Sequence, residues 1–205
     1  VACKGTVCRH GCCDTQGLAR AIEERYGGRD LPWKLKIAVT GCVNNCARVQ
    51  SNDIGMMGRR LPAYGAGECN GCGACETVCR EGAVRVVDGE ACHAEENCVG
   101  CGDCITVCPM EAIGVAAEGV RLYLGGRSGR VLRVGVEADG LISEEEVTGV
   151  VGRLLDCYRE NALPGERLGE MMNRVGTEEV FAAAGLRPLT VAAPPHACRP
   201  SPRTP

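Results

Sequence analysis

The sequence predicts an α+β protein in which a small cysteine-rich module interrupts a larger domain. Amphipathic helix patterns occur near both ends of the chain, at residues 15–26 and 143–161, and apolar strand patterns lie at 35–40 and 119–124. Between these strands, residues 69–108 carry two groups of four closely spaced cysteines. Because strands flank the cysteine-rich stretch on both sides, we expect it to be inserted into the larger domain rather than appended to it.

The elements before the module are one helix and two strands. Thr15–Tyr26 is predicted as a helix because apolar residues recur at helical spacing after Asp14, a natural N-cap, and two glycines follow. Leu35–Thr40 is predicted as a buried strand, and Asp53–Gly58 as another short one.

The elements within and after the module alternate between strands and helices. Short strands are predicted at Ala83–Val87 and Ile113–Val115 inside the module, and at Gly119–Leu124 and Val131–Val136 after it. Ser143–Asn161 is the clearest helix, with one apolar stripe.

Capping signals and shorter helices complete the C-terminal part. Ser143 with Glu146 predicts a capping box at the start of the long helix. A shorter helix is predicted at Glu166–Val175, and another begins at Thr177. Six of the ten prolines lie from Arg187 onward, so that this tail, with its Cys198, is predicted to be disordered. The predicted division has four parts: the first part of the larger domain (residues 1–63), the inserted cysteine-rich module (64–117), the second part of the larger domain (118–186) and a disordered tail (187–205).

The two cysteine groups have C-x2-C-x2-C-x3-C spacing, by which a bacterial-type ferredoxin holds two [4Fe–4S] clusters. Three thiolates on one tight loop hold three irons of a cubane, and the last cysteine of the other run supplies the fourth ligand. The two expected ligand sets are Cys69, Cys72, Cys75 and Cys108, and Cys98, Cys101, Cys104 and Cys79. Zinc and disulfides are the alternatives, but zinc sites usually show two separated pairs rather than quartets.

The amino-acid composition limits the classes of protein to which this chain can belong. The 17 cysteines are an odd number and follow no signal peptide pattern, which favours metal ligation in a reducing cytoplasm over a disulfide framework. No apolar run approaches the roughly 20 residues of a membrane span. We expect neither a membrane nor a nucleic acid as a partner.

Charge is unevenly distributed although the net charge is only −3. Residues 1–60 carry ten Lys and Arg against five Asp and Glu, which suits an anionic ligand. Residues 64–118 carry two Lys and Arg against ten Asp and Glu. This acidic stretch suits a solvated electron carrier and could steer a basic redox partner. The alternative is that both imbalances are merely solvated surface.

Four further cysteines precede the module and could close a third four-cysteine site. They form two pairs on two loops: Cys3 and Cys8, and Cys42 and Cys46. Cys12 or Cys13 could take the place of Cys3. By spacing alone, zinc fits this site nearly as well as an iron–sulfur cluster.

Several segments resemble the siroheme/[4Fe–4S] half of sulfite and nitrite reductases. They are Ala2–Ala19 (ACKGTVCRHGCCDTQGLA), Leu31–Cys46 (LPWKLKIAVTGCVNNC), Asp53–Gly55, Gly125–Arg130, Tyr158–Asn161 and Gly165–Gly169. The likeness covers residues 2–185, and an inserted ferredoxin occurs in the dissimilatory and small anaerobic branches of that family. It implies a half-domain of mixed sheet and flanking helices.

The resemblance implies a cubane coupled to siroheme. Cys46 would bridge a cluster iron and the siroheme iron, and Asn44 would lie beside the cofactor. The remaining irons would be held by Cys3, Cys8 and Cys42. The resemblance also implies that Lys34 and Lys36 face the substrate anion, whereas by themselves they are equally typical of a lysine pair entering a strand. Arg9 and His10 lie in the ligand loop and could contact the cofactor.

The chain departs from the family pattern at three points. Four residues rather than five separate Cys3 from Cys8, which leaves the assignment of Cys3 open. Val43 and Arg80 stand where a proline is usual.

The implied function is the six-electron reduction of sulfite to sulfide, or of nitrite to ammonia, by an oxidoreductase with siroheme and three [4Fe–4S] clusters. An electron donor protein would feed the module. The family's pocket has two halves and this chain opens at Val1, so we expect an N-terminal half-domain or partner subunit to complete it. The rival hypothesis is an electron-transfer protein of the same family whose siroheme site is lost.

Overall fold

The computed structural model describes residues 1–65 and 67–190 as an α+β fold with two sheets. The strands are β1 (Ile37–Thr40), β2 (Ile54–Tyr64), β3 (Val84–Val87), β4 (Glu90–His93), β5 (Ile113–Leu124) and β6 (Val136–Glu137). The helices are α1 (Thr15–Tyr26), α2 (Ala74–Val78), α3 (Asp103–Val107), α4 (Glu144–Asn161), α5 (Leu168–Val175) and α6 (Thr177–Ala183). The main sheet has the order β1-β2-β5-β6, with β1 parallel to β2 and the other pairs antiparallel. The predicted α+β class is therefore confirmed.

The hydrophobic core lies on one face of the main sheet, where α1, α4, α5 and α6 cover it. The predicted stripe of α4 is buried there: Val147, Val150, Val151, Leu154, Leu155 and Tyr158. Successive strand residues point to opposite faces, so that Met56 enters this core while Met57 packs with Tyr123 on the other face. The smaller cluster on that second face lies beside the candidate site described below.

Helix α1 spans the predicted residues, and Asp14 caps it by accepting the Gly17 amide at 3.0 Å. Helix α4 also has the predicted extent, but the expected capping box is wrong. The Ser143 hydroxyl donates to the Glu146 carboxylate at 3.0 Å and makes no bond with a helix amide. The two side chains satisfy each other, so that the first-turn amides of α4 receive no side-chain cap from Ser143.

The strand predicted from Leu35 begins at Ile37 instead. The carboxylate of Asp53 accepts the Lys36 amide at 2.8 Å, so that this amide is not available for a strand partner. Helix α5 likewise begins at Leu168 rather than Glu166.

Only Val136 of the predicted strand Val131–Val136 is in a strand. Val131, Leu132 and Val134 are between 57% and 71% exposed, so that their apolar character marks a surface loop rather than a buried face.

Strands β2 and β5 are far longer than predicted and form a continuous ribbon. Their pairing runs from Ile54 opposite Leu124 to Tyr64 opposite Ile113, with a register shift at Leu61/Pro62. The two short strands expected on either side of residue 116 are one strand. Residues 115–118 are exposed and lack an apolar pattern, so that backbone pairing alone reveals them as a strand.

The predicted tail begins with hydrogen bonds rather than disorder. The Arg187 carbonyl accepts the Asp139 amide at 2.9 Å, and the Leu189 amide donates to Glu137 at 2.7 Å. The rest of the predicted tail, including Cys198, lies outside the described residues. Among the helices of the described chain, none combines the length and apolar character needed to cross a membrane.

A buried ion pair joins the start of β2 to the start of α5. The guanidinium of Arg167 donates to both carboxylate oxygens of Asp53, at 2.9 and 2.5 Å, and Asp53 is fully buried. The same carboxylate also accepts the Lys36 amide. Three segments of the chain therefore meet at one side chain.

Replacing Arg167 by methionine should lower the free energy of unfolding by about 3–5 kcal/mol, because Asp53 would be left buried and unpaired. Adding Asp53→Asn should restore at least half of the loss, since asparagine keeps an acceptor for Lys36 without the charge. Denaturant unfolding under anaerobic conditions measures both. The matched control is Arg174→Met, which removes an exposed ion pair with Glu166 and should change little. Equal losses in the two single variants would contradict this account.

Candidate metal centres

The first cysteine site, which we call the outer site, lies at the far end of the module. Its four cysteines line one narrow cleft: Cys69, Cys72, Cys75 and Cys108. Burial raises the pKa of Cys75, and the neighbouring Cys69 and Cys108 add to the increase. The structure thus brings the last cysteine of the second run to the first three of the first run.

The second site, which we call the inner site, lies between the module and the main sheet. Its four cysteines line a cavity of 320 Å³: Cys79, Cys98, Cys101 and Cys104. Burial raises the pKa of Cys104 and of Cys101, and Cys98 adds to both increases. The hydroxyl of Tyr64 is buried close to the Cys104 sulfur, and its pKa is raised by burial and then by Cys104.

Glycines with left-handed backbone shape both cysteine loops in the same way. Gly71 and Gly73 in the first run have φ of 67° and 76°, and Gly100 and Gly102 in the second have 65° and 73°. Residues with a side chain rarely adopt these angles, so that each C-x-G-C-G-x-C loop can curl around its sulfurs. A short helix follows each loop, α2 and α3 respectively.

The inner loop is attached directly to β2. The Arg60 amide donates to the Gly100 carbonyl at 2.9 Å, and the Arg59 guanidinium donates to the Val99 carbonyl. A side chain at Gly100 would also collide with Leu61, since a Cβ there would lie 2.9 Å from it. Strand β2 therefore fixes where the inner site lies.

The third group of cysteines gathers where β1 ends. Cys42 is buried, whereas Cys8 and Cys46 beside it are exposed. Burial raises the pKa of Cys42, hydrogen bonds from Asn44 oppose the increase, and Cys8 and Cys46 add to it. Cys42 and Asn44 line the same cavity as the inner site.

Three more cysteines surround the turn at Gly41. The Cys3 sulfur accepts the Gly41 amide at 3.2 Å, and the Cys12 sulfur donates to the Cys101 carbonyl at 3.5 Å. Cys13 instead points toward the Thr40 carbonyl, at 3.8 Å, within the core. Cys3 and Cys12 are both placed near Cys42.

His10 connects the first cysteine loop to the module. Its Nδ1 lies 3.4 Å from the Asp103 carboxylate, and the Arg9 Nε donates to its Nε2 at 3.1 Å. His10 also lines the inner-site cavity, whereas Arg9 is exposed.

Lys34 and Lys36 lie at the other end of β1 from these cysteines. Lys34 lies over the ring of Trp33 and lines a separate cleft beside α1, and Lys36 is exposed. At about 3.3 Å per residue, Lys36 is roughly 15–20 Å along the chain from Cys42. The structure does not bring these lysines to the cysteine sites.

The donor chemistry of the inner and outer sites fits iron–sulfur clusters. Each places four cysteine sulfurs around one cleft, and soft thiolates are the ligands that such clusters take. No group of three His, Cys, Asp or Glu side chains within residues 1–65 and 67–190 could hold a single metal ion. In a [4Fe–4S] cubane each iron takes its own thiolate. The four cysteine ligands are therefore spread around the cluster and do not converge on one metal ion.

The sequence matches the family described as Nitrite and sulphite reductase 4Fe-4S domain over residues 1–189. The chain belongs to this family. It is 42% identical over 180 residues to the coenzyme F420-dependent sulfite reductase of Methanocaldococcus jannaschii, covering 86% of this chain and 29% of that protein. It is 36% identical over 166 residues to a subunit of the anaerobic sulfite reductase of Salmonella typhimurium, covering 78% and 49% respectively. The chain thus spans less than half of the length of these two relatives.

The fold is also similar to that of a solved member of this kind. The crystal structure of dissimilatory sulfite reductase I superposes with a TM-score of 0.68, at 23% identity, over 98% of this chain and 54% of that one. The predicted membership of the nitrite and sulfite reductase family is confirmed.

Sequence reasoning missed the residues of this family member that seat the inner site. Arg59, Tyr64 and His93 all lie close to its four cysteines. Tyr64 stacks on His93 with ring centroids 4.7 Å apart. None of the three belongs to a motif: Arg59 and Tyr64 lie on the unexpected extension of β2, and His93 lies at the end of β4. Cys92 is exposed on β4 and lines neither module site.

The buried thiols should resist alkylation in the native protein. Burial raises the pKa of Cys13 to about 12, so that at pH 8 only about one in ten thousand of these side chains is a thiolate, the reactive form. Cys13 is also only 8% exposed. Iodoacetamide labelling mapped by mass spectrometry should modify exposed Cys92 and spare Cys13. Equal labelling rates would show that Cys13 is not buried as described.

Proposed function

We propose that this chain is the siroheme- and iron–sulfur-binding half of a reductase that converts sulfite to sulfide with six electrons. The observation that carries the proposal is the shared cavity. Cys42 of the third group lines it together with all four cysteines of the inner site, in a chain that belongs to this family. Two redox centres would then be neighbours without an intervening domain.

Sulfite is favoured over nitrite by the level of identity over most of the chain, since a nitrite reductase of Bacillus subtilis matches a similar length at only 27% identity. The relatives matched at 42% and 36% identity over most of the chain are sulfite reductases by name. The nitrite reductase large subunit of Klebsiella oxytoca is 47% identical, but only over 57 residues, or 27% of this chain. Reduction of nitrite to ammonia is the second candidate substrate reaction.

The proposed cofactors are three [4Fe–4S] clusters and one siroheme. The outer and inner sites hold one cluster each, and the third is held by Cys8, Cys42 and Cys46 with Cys3 or Cys12. When bound, siroheme and its cluster supply the iron that binds the anion and the electrons that reduce it. The chain supplies placement: β1 and its turn hold Cys42 and Cys46, and β2 holds the inner loop.

The proposed partners follow from the solvent exposure of two cysteines in the third group. Cys8 and Cys46 lie at the surface, so that a bulky tetrapyrrole beside Cys46 needs further protein to exclude water. We propose that this side is covered by an N-terminal half-domain or by a partner subunit, and that a donor protein meets the acidic module. Thiolate ligands on the surface suit the reducing conditions of a cytoplasm.

Metal analysis of the full-length, anaerobically purified protein tests the proposal. Three clusters with siroheme require about thirteen irons per chain, three clusters alone about twelve, and the two module clusters with a zinc ion about eight. An absorption band in the red should report the siroheme. Twelve irons without that band would support the rival electron-transfer protein instead.

Replacing Cys46 by serine should abolish the siroheme band and sulfite reduction, because the bridging thiolate is lost, while the irons of the outer and inner clusters remain. Absorption spectra, iron content and sulfide production measure these effects. Cys157→Ser is the matched control, since this half-buried thiol lies in α4 and outside the three sites. Sulfite reduction that survives in the Cys46 variant would overturn the assignment.

A further inference from the structure

Arg59 places a positive charge at the wall of the inner site. From β2 its Nη1 donates to the Val99 carbonyl, inside the Cys98–Cys101 loop, and its Nη2 donates to the Tyr123 hydroxyl at 3.0 Å. It lines the same cavity as the four cysteines of the inner site. Its Nε is buried and finds no acceptor among the described residues.

Nothing that Arg59 contacts neutralises its charge. Its neighbours on the sheet are paired: Arg60 with Glu118 at 2.9 Å, and Arg121 with Glu137 at 2.6 Å. The direct partners of Arg59 are a neutral carbonyl and a phenol. Burial, and then Glu137, raise the pKa of Tyr123, and the Glu137 carboxylate beside this phenol is already paired with Arg121. A partly desolvated cation with only neutral partners is costly, so that an anion is expected nearby.

Neither carboxylate that lines the cavity forms a salt bridge with Arg59 among the described residues. Asp103 faces His10 at 3.4 Å, and Arg80 and Glu81 are exposed. What remains is the group of four cysteines, which carry negative charge as thiolates on a cluster.

We infer that Arg59 is the counter-charge of the inner cluster and raises its reduction potential above that of the outer cluster. The inference rests on the proposed function, in which both sites hold [4Fe–4S] clusters. Reduction adds one negative charge to a cluster, so that a nearby cation stabilises the reduced form. Hydrogen bonds and net charge around the sulfurs are the protein's means of setting such potentials.

The outer site has the opposite surroundings. None of the described residues that line it carries a charge. Glu68 and Glu111, close in sequence to its cysteines, are exposed and acidic. The difference in potential therefore favours an electron at the inner site, which is the one that shares its cavity with Cys42.

A potentiometric titration of the full-length, anaerobically purified protein, followed by electron paramagnetic resonance, tests this inference. Arg59→Gln keeps a donor for the Val99 carbonyl but removes the charge. At a fixed potential it should shift the oxidised-to-reduced ratio of the inner cluster at least tenfold toward the oxidised form, which is about 59 mV for a one-electron couple. Arg59→Lys should retain most of the wild-type potential, and the outer cluster should not move. Cys108→Ser, which perturbs only the outer site, assigns the two signals.

Arg29→Met is the matched control, because it removes a half-buried arginine that pairs with Asp156 of α4, away from the inner loop. If Arg59→Gln keeps its iron and titrates like the wild type, or if the lysine variant behaves like the glutamine variant, the inference is wrong. If the glutamine variant loses the inner cluster while the lysine variant keeps it, the charge is required for binding and the pairing is supported. Absence of both module clusters from the wild type would instead refute the proposed function.

Discussion

Backbone pairing between β2 and β5 connects the cysteine-rich module to the main sheet and sets where the module lies on it. At one end of this ribbon, Ile54 and Leu124 are buried in the core under the helices, and at the other, Tyr64 and Ile113 lead into the module. The module leaves and rejoins the main domain through two strands that pair from Ile54 opposite Leu124 to Tyr64 opposite Ile113, with one register shift. The distance between the inner site and Cys42 is thereby set by a sheet, which is a rigid element.

The same ribbon explains why the two module sites differ. The inner loop is bonded to Arg59 and Arg60 in the middle of β2, whereas the outer loop packs only against the rest of the module. Two loops of nearly identical sequence therefore acquire different surroundings, one cationic and half-enclosed, the other uncharged and more exposed. Similar ligand loops with different charges nearby give centres of different potential without any change in the ligands themselves.

Much of this arrangement could be predicted from sequence, because the strongest signals are local. Helix α1 and the buried stripe of α4 follow from periodicity, and the grouping of cysteines follows from spacing. The ribbon could not be predicted, since its outer half shows no alternation of buried and exposed residues: residues 59–64 are all half-buried and residues 115–118 are all exposed, and the pairing uses backbone bonds that any residue can make. Arg59 and Tyr64 were missed for the same reason: their role depends on which strand passes beneath the inner loop, and neither lies in a motif.

The three cysteine groups differ in how deeply their sulfur atoms are buried, and this difference bears on how the chain would associate with a partner segment. Two sulfurs at the inner site, Cys101 and Cys104, have raised pKa values because the module and the sheet enclose them. At the third group only Cys42 is enclosed, and Cys46 faces outward. The chain could therefore shield a cluster at the inner site with its own residues, but it leaves open the side of the third group where a large planar cofactor would lie. If another protein segment covers both the cofactor and the thiolate, as proposed, cofactor binding and association with that segment would be one coupled equilibrium.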